Sequence, residues 1–371
     1  MITDAERRFA AYVATLGRGP GRSRALTREE ARGAFALVLS GAADPHQVGA
    51  FLMLLRYRGE DEGEIAGLVE AARDDAGIGA TPLGAALDWP SYGAGRTRGA
   101  PWFLLSALAL ARAGISVLMH GSNAFSSGIG VPEALAALGI AQAGSLEGAA
   151  AALARERFAY LPLEAFAPRL FALLGLRALF GLRSPVNTVA RLLDPANAAA
   201  GIHGVFHPAY IRVHLGVARL MRRPRLLVLK GGGGEAERNP AKPLAAYLWQ
   251  RGQEPAEVIL PAVTWGGCRG RRDRGVGRGA RRRLARTDRA AARAGDRARH
   301  LGGGPAGERT CARRGGRRAG GRGDMARAGS RHAPLVRRKS RRVSELDRVA
   351  LVSPVGLEPT TPRLKVSCST G

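Results

Sequence analysis

Lys230 closes an apolar run, Arg225 to Lys230, and stands directly before four glycines, Gly231 to Gly234. A flexible glycine run after a strand lets backbone N–H groups approach a phosphate closely, with the lysine as counter-charge. A second glycine loop spans Ser91 to Gly99, where Gly93 and Gly95 are joined by Arg96 and Arg98. It is either a phosphate cradle or a tight turn. His120, Gly121 and Asn123 follow another apolar run; His120 is either a site residue or a satisfied histidine at a strand end. Ser126 and Ser127 either meet a ligand or cap the next helix. Arg212, Arg219, Arg222, Arg223 and Arg225 fall within fourteen residues, as a solvated helix end or as a stripe contacting phosphates. With no aromatic platform nearby, such a stripe would hold nucleic acid by its backbone, with little sequence preference.

The elements that must position these residues follow from pattern. Thr27 with Glu30 is a capping box, and Ala31, Phe35, Ala36 and Leu39 follow on one face. Asp44 before Pro45 starts a second helix carrying Val48, Phe51, Leu52 and Leu55, and Asp61 with Glu64 opens a third. The first segment is therefore a bundle of about three or four helices. From Leu87 short apolar strands alternate with glycine loops and helices: a helix over 101–113, a strand over 115–119, a helix over 132–138, a strand over 225–230. That alternation predicts an α/β domain.

No Phe, Tyr, Trp or Ile occurs after Trp265. Of the net charge of +27, residues 1–265 carry +6 (28 Lys+Arg, 22 Asp+Glu) and residues 266–343 carry +21 (26 against 5), so the extreme pI belongs to the Arg/Gly-rich stretch. Such a stretch is either a disordered basic arm that neutralises phosphates or a frameshifted translation. In a GC-rich gene, Ala codons read one base out of register become Arg codons, and the preceding sequence is dense in Ala. RNA-binding arginine arms interleave aromatics, and none is present. Residues 355–370 further resemble a translation of the antisense strand of a tRNA gene. All three cysteines, Cys268, Cys311 and Cys368, lie in this part, so neither a disulfide framework nor a metal site is expected, which fits a reducing cytoplasm. The N-terminus shows no secretory signal, and the apolar runs 101–111 and 170–182 are too short to span a membrane.

The helical start from Leu26 to Arg73 resembles the N-terminal domain shared by anthranilate phosphoribosyltransferase and the pyrimidine nucleoside phosphorylases. Arg183-Ser184-Pro185-Val186-Asn187-Thr188 with Asp194-Pro195 resembles the Arg-Thr-x-x-Asn…Asn-Pro signature of the anthranilate enzymes. Asp88-Trp89-Pro90-Ser91-Tyr92, Met119-His120-Gly121 and Lys230 to Pro240 are most similar to the YbiB-type branch of that family, which keeps the fold and the dimer and binds nucleic acid. The resemblance implies a phosphate-loop role for Gly93, Gly95, Arg96, Arg98, His120, Gly121, Asn123 and Ser127, and an acceptor-site role for Arg183 and Asn187. These last two could equally serve packing between domains. Against the enzymes' pattern, the first loop has lost its Asp, Met119 replaces a Lys, and Ala236-Glu237 replaces an acidic pair, leaving Glu237 as a weak metal ligand.

Together these features predict a helical domain over 1–75 and an α/β domain over 76–265 with a central mixed sheet, truncated, residues 158–192 packing back on the helices. A disordered tail over 266–371 follows. The leading functional expectation is a cytoplasmic homodimer, outside any membrane, that binds nucleic-acid phosphates through Arg219, Arg222, Arg223 and Lys230. The alternative is an active transferase that uses phosphoribosyl pyrophosphate (PRPP) and Mg²⁺ with anthranilate or another acceptor. A third is an inactive frameshift product.

Overall fold

The computed structural model describes residues 2–19, 21–93, 99–124 and 128–263, all within one compact unit. Gly95, Arg96, Arg98 and Ser127 lie outside the described residues, as does the Arg/Gly-rich stretch with its expectations of disorder and frameshift.

Four helices open the chain: α1 (Asp4–Gly17), α2 (Arg28–Leu39), α3 (Pro45–Arg58) and α4 (Glu62–Asp75). Each starts at a capping box, Thr3/Glu6, Thr27/Glu30, Asp44/Gln47 and Asp61/Glu64, in which the cap side chain accepts a free N–H and the third residue returns the bond. The first box was not read in the sequence; the other three lie where the pattern put them.

The α/β part runs β1 (Leu87–Ser91), α5 (Phe103–Arg112), β2 (Val117–Gly121), α6 (Val131–Ala137), α7 (Leu146–Glu156) and β3 (Phe158–Pro162). It continues through α8 (Leu163–Phe166), α9 (Pro168–Phe180), α10 (Val186–Arg191), β4 (Ala200–Val205), α11 (Ala209–Leu220), β5 (Arg225–Lys230), β6 (Leu244–Gln250) and β7 (Ala256–Leu260). The sheet order is β3-β2-β1-β4-β5-β6-β7. The first five strands are parallel, and β6 and β7 are antiparallel, so the sheet is mixed.

Both faces of the parallel part are covered, as a parallel sheet requires. Side chains alternate across β2 and β3: Leu118, Ala159 and Leu161 join the core of the helical bundle, while Val117, Met119, Phe158 and Tyr160 join Phe103, Leu104 and Leu135 on the other face. Leu163, Leu170, Leu174, Val186 and Val189, from α8 to α10, share the bundle core with Phe35, Phe51 and Leu68. One hydrophobic core therefore fixes the bundle against one face of β2 and β3.

Candidate active site

Parallel strands put ligand sites beyond their carboxyl ends, and here β1, β2, β4 and β5 end together. After β1 the chain turns at Tyr92 and Gly93, whose backbone N–H groups donate to Glu235 Oε1 at 3.1 and 2.6 Å. Glu235 is 1 % exposed and arrives from the glycine run that follows β5. A Cβ on Gly231 would lie 1.5 Å from the Glu235 carbonyl oxygen, and one on Gly204 would lie 2.0 Å from the Glu235 carbonyl carbon. At these positions glycine is required because the chain approaches itself. Lys230 is exposed at its head.

His120, at the end of β2, is wholly buried. Gly121 next to it passes so close to β1 that a Cβ would fall 1.6 Å from the Ser91 carbonyl oxygen. Met119 is core, on the face away from the helical bundle, where a charge would have no solvent. Asn123 donates to the Gly128 carbonyl and to Glu133, both at 3.2 Å. Gly93, Asn123 and Glu235 line one small cavity of about 10 Å³, room for about one water.

A larger cavity of about 110 Å³ lies beside it. Arg183 and Asn187 line it together with Tyr92, Arg191, His207 and Tyr210, so the two motif residues do meet in space. Burial, with Arg177 and Arg191 nearby, lowers the Arg183 pKa. Arg191 donates to the Gly234 carbonyl at 2.9 Å and stands 5.7 Å from the Tyr92 ring centre. Arg56 donates to the Tyr210 hydroxyl at 2.7 Å.

Beneath both cavities lies a buried polar network that the sequence did not reveal. Asp88 is inaccessible to solvent; its Oδ1 lies 3.2 Å from His120 Nε2, and its Oδ2 lies 2.9 Å from Arg223 Nη2 and 3.4 Å from His203. Burial pushes its carboxyl up, but His120, His203 and Arg223 outweigh that and hold it well below the usual carboxylate range. Arg223 also pairs with Asp194 at 2.8 Å. His203 Nδ1 lies 3.0 Å from Nδ1 of His214, which lines the larger cavity. Burial brings His203 down to about 4, and burial beside His203 puts His214 well below its ordinary value, so both rings are neutral. The one sequence signal for His214 was its place on the apolar face of α11, between Val213 and Val217.

The arginine stripe does not survive as a unit. Arg223 is 5 % exposed and committed to two carboxylates, so it offers nothing to a nucleic-acid phosphate. Arg219 pairs with Glu62 at 2.6 Å, while Arg212 and Arg222 are exposed. Glu237 is partly buried, and among the described residues no group of three or more His, Cys, Asp or Glu could hold a metal. Among the described residues the donor set does not fit a metal site built by the protein alone.

A helical bundle joined to an α/β domain, with cavities beyond the carboxyl ends of its parallel strands, is the architecture of a glycosyl transferase. Residues 11–76 match the helical bundle domain of a glycosyl transferase family, and residues 103–259 match the α/β domain. Anthranilate phosphoribosyltransferase from Methylorubrum populi is 31 % identical over 268 residues, covering 71 % of this chain and 78 % of that protein. The enzyme from Methylorubrum extorquens is 31 % identical over 66 % of this chain and 74 % of its own. The crystal structure of the enzyme from Thermus thermophilus superposes with a TM-score of 0.56 at 26 % identity, over 68 % of this chain and 73 % of that one. The Saccharomyces cerevisiae enzyme, solved in complex with PRPP and Mg, shares the fold with a TM-score of 0.57 at 18 % identity, over 70 % and 76 % of the two chains. The chain belongs to the anthranilate phosphoribosyltransferase family.

None of the helices among the described residues is long and apolar enough to cross a membrane.

Proposed function

We propose that this protein is a phosphoribosyltransferase that moves phosphoribose from PRPP to an anionic aromatic acceptor seated in the larger cavity. The observation that carries this reading is the meeting of the two motif sets at one dipeptide. Tyr92 lines the cavity of Arg183 and Asn187, and Gly93 lines that of Asn123. An acceptor beside Tyr92 would therefore face a ribosyl group held from the Gly93 side, which is the proximity that group transfer needs. Arg183 supplies the counter-charge for an acceptor anion, and Mg²⁺ would arrive on the pyrophosphate of PRPP. The test is release of pyrophosphate by the full chain given PRPP, Mg²⁺ and anthranilate or other aromatic acids. Arg183→Ala should raise KM for the acceptor about tenfold or more, the loss of one charge-assisted hydrogen bond. Absence of pyrophosphate release together with absence of PRPP binding by calorimetry rejects the reading.

A second reading, binding of nucleic-acid phosphates as in the YbiB-type branch, draws on the exposed Arg212, Arg222 and Lys230. It is the weaker one because Arg223 is buried against two carboxylates and Arg219 is paired with Glu62. Gel shifts at increasing salt separate the two: a basic surface that binds backbone phosphates loses affinity steeply with salt. Light scattering tests for the homodimer in the same samples.

A further inference from the structure

Tyr92 lines the cavity proposed for the acceptor, and its hydroxyl has an unusual partner. A buried tyrosine hydroxyl commonly finds a carbonyl or water; this one lies 2.9 Å from His120 Nδ1. On the far side of that ring, His120 Nε2 lies 3.2 Å from Asp88 Oδ1, with both residues fully buried. Phe166 packs edge-on against the imidazole with ring centres 6.1 Å apart, Tyr92 does so at 5.6 Å, and the ring is wholly buried, so it has little room to turn.

Elementary donor and acceptor accounting then sets the polarity. The Asp88 carboxylate, held ionised by His120, His203 and Arg223, can only accept, so the ring nitrogen that faces it, Nε2, is the one that carries a proton. Nδ1 is left to accept from the Tyr92 hydroxyl, which burial pushes well above its ordinary value, so the tyrosine stays protonated and can only pass a proton along. The Nε2 to Oδ1 approach is off the ideal hydrogen-bond line, as catalytic contacts often are before a substrate binds.

We propose that Tyr92 is the group that takes up the acceptor's proton as it passes its own to His120, with His120 and Asp88 as positioning residues. The inference rests on the phosphoribosyltransferase reading above. In the step, the proton on the acceptor's attacking nitrogen or oxygen passes to the Tyr92 oxygen while the tyrosine's own proton moves to His120 Nδ1. The lone pair so freed on the acceptor forms the bond to C1 of the phosphoribosyl group, and the electron pair of the broken C1–O bond leaves with pyrophosphate. His120 ends as an imidazolium beside the Asp88 carboxylate, the arrangement by which a buried carboxylate supports a histidine base elsewhere. The acceptor class is therefore one whose attacking atom carries a proton to be lost, and not a tertiary amine or a molecule whose attacking atom is already ionised.

Two measurements on the full chain decide this. Long-range nitrogen–proton spectra of the imidazoles should show His120 neutral with its proton on Nε2. Tyr92→Phe, which removes one oxygen and leaves the backbone bond to Glu235 in place, should move the His120 Nδ1 resonance and leave those of His203 and His214 unchanged. A proton on Nδ1 of His120, or a His120 signal indifferent to Tyr92→Phe, overturns the wiring whether or not the protein turns over. In pyrophosphate release with PRPP and an active acceptor, Tyr92→Phe should lower kcat about 100-fold or more at unchanged KM for PRPP, the usual span for a lost general base. An unchanged kcat overturns the role. A wild-type chain with no turnover on any acceptor counts against the phosphoribosyltransferase reading, and the spectra still judge the relay.

Discussion

Arg223 carries a charge that water does not solvate, so its loss would strand two carboxylates, Asp88 and Asp194, in the core. Arg223→Met should cost about 3–5 kcal/mol, the range for breaking a buried ion pair from one side, measured as a fall in the urea midpoint. The histidines add a pH term. In the fold His203 titrates at about 4, against about 6.5 in an unfolded chain. As pH falls, the unfolded chain takes up the proton first, so this contribution is whole above about pH 6.5 and shrinks down to about 4. His214 is shifted in the same direction. Each can remove up to about 1.4 kcal/mol per pH unit in that window. Urea midpoints between pH 7 and 4.5 should fall accordingly, with a shallower slope for His203→Gln; a flat wild-type profile rejects the assignment. At this scale the sequence was legible where chemistry lay within a few residues, as with Arg183 and Asn187. It was opaque for Asp88, His203 and Arg223, which meet across 115 and 135 residues and sit in runs that look merely apolar or merely basic.

Among elements, the closest approach of two helices is set by one missing side chain. On α4, a Cβ at Gly67 would lie 2.1 Å from the Arg28 carbonyl oxygen and 2.9 Å from the Arg32 nitrogen of α2. Gly67→Ala should therefore cost about 1–3 kcal/mol through forced separation, seen as a lower Tm. Gly33, also in α2, has only the Tyr12 hydroxyl at 3.1 Å, the end of a side chain that can swing away. Gly33→Ala should be neutral or stabilising by up to about 1 kcal/mol, from helix propensity. Helix starts were readable because caps are local chemistry. The start of β2 was not: the apolar run begins at Ile115, but its N–H bonds back to the Leu110 carbonyl and Gly114 adopts φ +95, so Ile115 closes α5 and the strand begins at Val117.

For the whole molecule, the sheet's two ends are unlike. β3 is covered by α7, whereas β7 pairs, among the described residues, with β6 alone and leaves Ile259 57 % exposed. Such an edge invites pairing with another chain. Ile259→Lys should lower self-association, read as a smaller scattering mass at high concentration; an unchanged mass would show that the edge is not the contact. Asp88 sits on β1, in the interior of the sheet order, while its partners arrive from β2, β4 and the turn before β5. During synthesis, a ribosome must therefore release everything through Arg223 before that carboxylate can be neutralised. A chain paused earlier can close the helical bundle but not the sheet around Asp88. A network closed across 135 residues is expected to form late, so Asp88→Asn should speed unfolding and leave the folding rate nearly untouched.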